Sequence, residues 1–128
     1  MRSIGMTTPN RLSATKTVTV YRPTGPEELA LIAQSDWRRW PPRLPEQPIF
    51  YPVTNEDYAV QIARDWNLPQ SGAGYVTRFE VLAHFMARYE THVVGAARHE
   101  EWWIPAEDLE ALNDHIVGRI EVIRSFPA

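Results

Sequence analysis

The 128 residues contain no cysteine. That excludes disulfides, thiolate nucleophiles and the usual structural zinc sites, and it suits a reducing compartment. An excess of positive charge is also missing. Thirteen Lys and Arg stand against sixteen Asp and Glu, a formal net charge of -3, so neither nucleic acid nor an anionic membrane is indicated as a partner. No apolar run approaches the length needed to cross a bilayer, and the opening MRSIGMTTPNRLSAT lacks the apolar core of a signal peptide. These absences predict a soluble, cytoplasmic chain. The four histidines, at 84, 92, 99 and 115, form no metal pattern, because HEEWW carries Trp103 where the zinc-protease helix needs its second His. No metal is expected. A GxGxxG after a strand, a GxxxxGK(S/T) loop and a GxSxG elbow are all missing, which argues against two common nucleotide folds and leaves a Ser-His-Asp triad unsupported.

What is present has the balance of a globular chain, 44% hydrophobic and 23% charged. Residues 1–15 are polar and aperiodic and read as a loose leader, with one domain over 16–128. TVTVYR, 17–22, alternates β-branched residues and predicts a strand ending at Pro23. Thr24 with Glu27 has the spacing of a capping box, Pro26 sits in the first turn, and Leu29, Ile32 and Ala33 make an apolar stripe, which predicts a helix over 26–34. After the proline-rich WRRWPPRLPEQP, PIFYPV predicts a strand over 48–53. Thr54 and Asp57 repeat the cap spacing, and Tyr58, Ala59, Ile62, Ala63 and Trp66 predict a helix over 55–66.

NLPQSGAG reads as a loop and GYVTRFEV as a strand, with Tyr75, Thr77, Phe79 and Val81 on one face and Val76, Arg78 and Glu80 on the other. LAHFMARY reads as a helical turn, THVVG and EWWIP as strands, AEDLEALNDHIVG as a helix with Leu109, Leu112 and Ile116 on its apolar side, and RIEVI as the last strand. Single-helix crossovers alternate with strand pairs too close for a helix. The expected fold is α+β: a single domain with a curved, mixed or antiparallel split sheet and flanking helices.

Four features carry possible chemistry. Glu101 opens a strand against Trp102 and Trp103, where burial raises a carboxylate pKa and a cation lowers it; a solvated charge at an edge strand is the plain alternative. Arg22 ends the first strand just before a helix N-terminus, a placement suited to a phosphate or to an ordinary salt bridge. Glu100 adjoins Glu101. WRRWPPRLPEQP is either an extended polyproline ligand or an ordered loop turning Arg38, Arg39 and Arg43 toward a site; two tryptophans in need of burial favour the loop.

Taken in order, VYRPTGPEEL, IFYPVTNEDYAVQIA and EWWIPAEDLEALNDHIVGRIEVI resemble the three motifs of the ADP-ribosyltransferase superfamily over residues 17–125, and the chain is similar to small bacterial proteins carrying an ADP-ribosylation/crystallin label. The resemblance implies an ADP-ribosyltransferase-like fold and an NAD+-dependent mono-ADP-ribosyltransferase or NAD+ glycohydrolase that breaks the nicotinamide–ribose bond, with NAD as substrate. It implies that Glu101 is the catalytic carboxylate and that Arg22 and Thr24 hold the phosphate or adenosine side. Phe50 or Tyr51 would stack on the nicotinamide, Thr54 would stand at a serine position, and His99 or Glu100 would orient an acceptor or water. His99 occupies the place where arginine-modifying members carry Glu, so an arginine acceptor is not supported. A non-catalytic nucleotide-binding or protein-interaction module on the same fold is the alternative.

Overall fold

The computed structural model describes residues 16–127; the expected leader, 1–15, lies outside them. The chain is mixed α+β, and its strand pairings are antiparallel. β1 (Thr17–Thr24), β3 (Gly74–Leu82) and β7 (Ile116–Phe126) form the main sheet in the order β1-β3-β7. β1 runs through Pro23 instead of stopping before it. The Tyr21 N–H points away from β3, to the Val53 carbonyl, and the Pro23 nitrogen two residues on faces the same outer side, so the proline removes no ladder bond.

Helix α1 (Pro26–Gln34) has the expected limits, but its capping box does not form. Gly25 is the N-cap without a side-chain bond, and the Thr24 hydroxyl instead donates to Glu28 at 2.6 Å. Asn55, not Thr54, caps α2 (Glu56–Ile62), accepting from the Tyr58 N–H at 2.8 Å. The helical path then widens into a π segment (Ala63–Asn67) and closes in a short α3 (Leu68–Ser71), where a loop was expected. A π turn inserts one residue into the helical phase. Trp66 therefore leaves the apolar stripe and stands 62% exposed, while Asn67 turns inward. Gly74 permits this approach: a Cβ there would collide with the Ala63 carbonyl.

Beyond β3 come α4 (Ala83–Met86), β4 (Thr91–Val93), β5 (Glu100–Trp102) and β6 (Ile104–Pro105), then a 3-10 turn (Ala106–Asp108) and α5 (Leu109–Asp114). α5 ends two residues before Ile116, which belongs to β7 and not to the expected helical stripe. The expected strands 48–53 and EWWIP are each shorter or interrupted. β2 (Ile49–Phe50) pairs with β6, and Val53 bridges both Tyr21 and Glu101, in one continuous register. Pro52, which has no N–H, and the opposed Tyr51 and Trp103 mark the gap between the two paired stretches.

The main sheet is covered on both faces. Val20, Phe79, Val81 and Ile120 pack with Ile32, Trp40, Phe50, Ile104 and Leu112, while Val76 packs on the opposite face with Val53, Tyr58, Ala59 and Ala63. Val76, expected on the polar face of β3, is buried because α2 and the π segment cover it. The proline-rich segment is an irregular ordered stretch with Trp40 in the core. No helix among the described residues is long and apolar enough to cross a membrane.

Candidate functional site

Alternation along two facing segments builds the cleft. In extended chain, successive side chains point to opposite sides. In the register that pairs 49–53 with 101–105, Tyr51 and Val53 share a side with Glu101 and Trp103, and all four line a pocket of about 380 Å³. Arg22, Pro23, Ile62 and Asn67 complete its wall. The sequence-expected Arg22, Tyr51 and Glu101 thus meet, although 79 positions separate the first from the last.

The same alternation sends other expected residues elsewhere. Phe50, Trp102 and Ile104 turn into the core. Phe50 is 1% exposed beneath Trp40 and the Arg22 guanidinium, so it offers no face to a ligand. Thr54 and Glu100 share the side opposite the cleft: the Thr54 hydroxyl donates to Glu100 at 3.4 Å, and Thr91 donates to the second Glu100 oxygen. Glu100 therefore does not stand beside Glu101 in the cleft. His99 lies behind the cleft, stacked on Tyr58 at 4.6 Å with its Nε2 3.0 Å from the Gln61 amide oxygen. Thr24 is buried against Glu28 and borders an adjoining pocket of about 230 Å³ that shares Arg22, Pro23 and Asn67 with the cleft.

Glu101 is held by neutral donors. Trp103 Nε1–H donates to its Oε1 at 2.8 Å and the Tyr58 hydroxyl to its Oε2 at 3.1 Å. No Lys, Arg or His among the described residues pairs with it. Burial, then the charge and hydrogen bond of Glu101, push the Tyr58 pKa up to about 12, so its hydroxyl stays a proton donor well into the alkaline range. Exposed rings flank the carboxylate: Trp103 meets Tyr51 edge-on at 6.4 Å and stacks on His92 at 3.8 Å.

Arg22 is bound very differently. Its Nε and Nη2 donate to the two Glu28 oxygens at 3.0 and 3.1 Å, and Nη1 reaches the Tyr51 carbonyl at 3.3 Å. The guanidinium lies over Phe50 at 4.4 Å and Trp40 at 5.4 Å. Arg43 adds a second cation 3.4 Å from Glu28. Burial raises the Glu28 pKa, but the charge and hydrogen bonds of Arg22, with help from Thr24 and Arg43, outweigh it and hold the carboxyl below its ordinary value. Burial and the nearby Arg22 lower Arg43. Of the three arginines in the proline-rich segment only Arg43 reaches this site; Arg38 pairs with Asp36, and Arg39 with Glu110 and Asp114.

Sequence reasoning missed Glu28, Tyr58, Asn67 and Trp103 as site residues. Trp103 was legible in principle, because strict alternation from Glu101 puts it on the same side. Asn67 was not, since it reaches the cleft only through the π turn; its Oδ1 is buried with no partner. No group of His, Cys, Asp and Glu among the described residues is arranged to hold a metal. Comparison of the chain with protein-family models, with curated proteins and with solved structures finds no match.

Proposed function

We propose that the cleft binds NAD+ and cleaves its nicotinamide–ribose bond, making the chain a mono-ADP-ribosyltransferase or NAD+ glycohydrolase on an ADP-ribosyltransferase-like fold. The observation that carries this reading is the meeting of Arg22, Tyr51 and Glu101 on one cleft, with Glu101 oriented by two neutral donors. As the bond between ribose C1′ and the pyridinium nitrogen breaks, its electron pair leaves with nicotinamide and positive charge grows on the ribose. A carboxylate without a countercharge, fixed before the reaction, stabilises that charge. Tyr51 and Trp103 supply rings for the nicotinamide. Arg22, with Nε and Nη2 on Glu28 and one Nη1 proton on the Tyr51 carbonyl, has its remaining N–H protons to offer a phosphate, and Thr24 supports it through Glu28. Water or an acceptor then attacks C1′ and gives up a proton.

Protein incubated with NAD+ labelled in the nicotinamide should release the label, and Glu101→Gln should stop the release while the circular dichroism spectrum stays unchanged. Equal rates from the two proteins would sink the assignment. One observation favours a second reading: Glu28 already occupies two of the Arg22 donors, which leaves less charge for a phosphate. A non-catalytic nucleotide-binding module would show saturable NAD+ binding by calorimetry and no nicotinamide release.

A further inference from the structure

Tyr51 and Trp103 are each 42% exposed, and both line the cleft beside Glu101. One exposed ring is ordinary, but two set against an unmatched acid are not. The rings stand at 86° with centroids 6.4 Å apart, so a single ligand atom can lie within about 6 Å of both, the reach of a cation–π contact. The Trp103 indole donates to Glu101 Oε1 at 2.8 Å, which fixes the acid at the edge of that ring. His92, opposite Glu101 on β4, stacks on Trp103 at 3.8 Å and steadies it. Of the residues lining the cleft only Arg22 and Glu101 are charged. Arg22 is met by both Glu28 oxygens, at 3.0 and 3.1 Å, and Arg43, which shares Glu28, is not part of the cleft wall. Among the described residues Glu101 takes only neutral donors, so the unmatched charge in the cleft is negative.

We propose that this corner of the cleft binds quaternary ammonium groups. The negative face of an aromatic ring attracts a cation, and the attraction grows where water is partly excluded. A carboxylate alone would serve a primary ammonium equally well, but each N–H of such a group needs an acceptor. Here both Glu101 oxygens already accept a bond, and Pro23, Val53 and Ile62 add apolar wall. A quaternary nitrogen has no N–H to satisfy and presents methyl groups to rings and wall alike. The cleft, of about 380 Å³, has room for it at about 30 Å³ per water. The pyridinium of NAD+ is itself a quaternary nitrogen, so such a ligand competes for the nicotinamide end of the cleft. Its binding requires no cleavage of NAD+.

Choline chloride is the probe, and 3,3-dimethylbutan-1-ol, with carbon in place of the nitrogen, is its neutral match. In nitrogen-15 NMR spectra the chain's five tryptophans give indole N–H signals, and that of Trp103 is the one lost in Trp103→Phe. Choline should move this signal saturably in the parent protein, and the alcohol should bind at least tenfold more weakly, because only the cation gains from the rings and the acid. Glu101→Gln and Tyr51→Leu, the second at a ring open to solvent, should each weaken choline binding at least fivefold. Three results would each overturn the proposal. The first is a Trp103 signal that about 50 mM choline chloride, well above the Kd of a millimolar site, moves no further than equal sodium chloride. The others are equal affinity for the alcohol and undiminished choline binding in either variant. Choline binding without nicotinamide release would keep this site and remove the proposed reaction, and release without selectivity for choline would do the reverse.

Discussion

Arg22 and Glu101 border the same cleft, yet the protein treats their charges in opposite ways. Arg22 is clamped by a two-toothed carboxylate, a carbonyl and two aromatic faces. Among the described residues, Glu101 receives only an indole N–H and a phenol O–H. A charge neutralised inside the fold contributes chiefly to holding the structure, and removing one partner leaves the other stranded. A charge fixed by neutral donors keeps its field available to whatever enters the cleft. The cation end of the cleft is thus tied into the scaffold, while the acid end keeps an uncompensated charge, as the proposed reaction requires.

Removing the acid should affect reaction far more than folding. Glu101→Gln keeps the shape, an amide oxygen that accepts from the Trp103 indole, and an amide N–H that the Tyr58 hydroxyl can accept by rotating, so the urea midpoint should move little. Nicotinamide release should fall by about 10²–10³, the usual consequence of losing one preorganised electrostatic group. The reverse holds at the other end. Glu28→Gln leaves Arg22 and Arg43 facing each other without their shared carboxylate, and should cost about 3 kcal/mol, toward the low end for breaking a buried pair because both side chains keep some solvent contact. Urea titration would register that as a lower midpoint at unchanged slope. If Glu28→Gln were as stable as the parent, the scaffold role of the cation end would be wrong.

Acid should sharpen the contrast. The Glu28 pKa is depressed in the folded state, so its contribution to stability is complete above the ordinary glutamate value of about 4.3 and is lost as pH falls through the lower folded value. Stability followed downward from pH 5 should decline more steeply in the parent than in Glu28→Gln. A smaller effect is expected behind the acid. Tyr58→Phe deletes the donor to Glu101 Oε2 and should cost about 1 kcal/mol. In an alkaline ultraviolet titration of the parent's five tyrosines, Tyr58 and Tyr89, both raised to about 12, should ionise last. Raised pKa values mean that their contribution to stability is intact below pH ~10 and fades as pH climbs through the folded values. Tyr58→Phe should remove one late step, and an unchanged late amplitude would remove Tyr58 from the account of Glu101.

Much of the fold was legible because periodicity is local. β-branched alternation marked β1, and the stripe of Leu29 and Ile32 behind Pro26 marked α1 to the residue. The misreadings arose where a neighbour overrode the local signal. Asn55 displaced Thr54 as cap, and the π turn carried Trp66 out of its stripe. Ile116 has an apolar side chain suited to either element, and β7 took it through its pairing with Val81. In the site, the types Arg22, Tyr51 and Glu101 were readable from motif order, but Phe50 and Glu100 could not be separated from their neighbours until the strands were paired.

The sequence by itself determined that 17–22 is extended and 26–34 helical, and that alternate residues in FYPV and EWW part company across a strand. Only the tertiary structure decided which alternate set meets the cleft, because that depends on one backbone register between segments some fifty residues apart. It also decided that Glu28 would neutralise Arg22 while Glu101 kept neutral partners. Those outcomes follow from distances between side chains remote in sequence, and Coulomb and hydrogen-bond energies depend on distance in space, not along the chain.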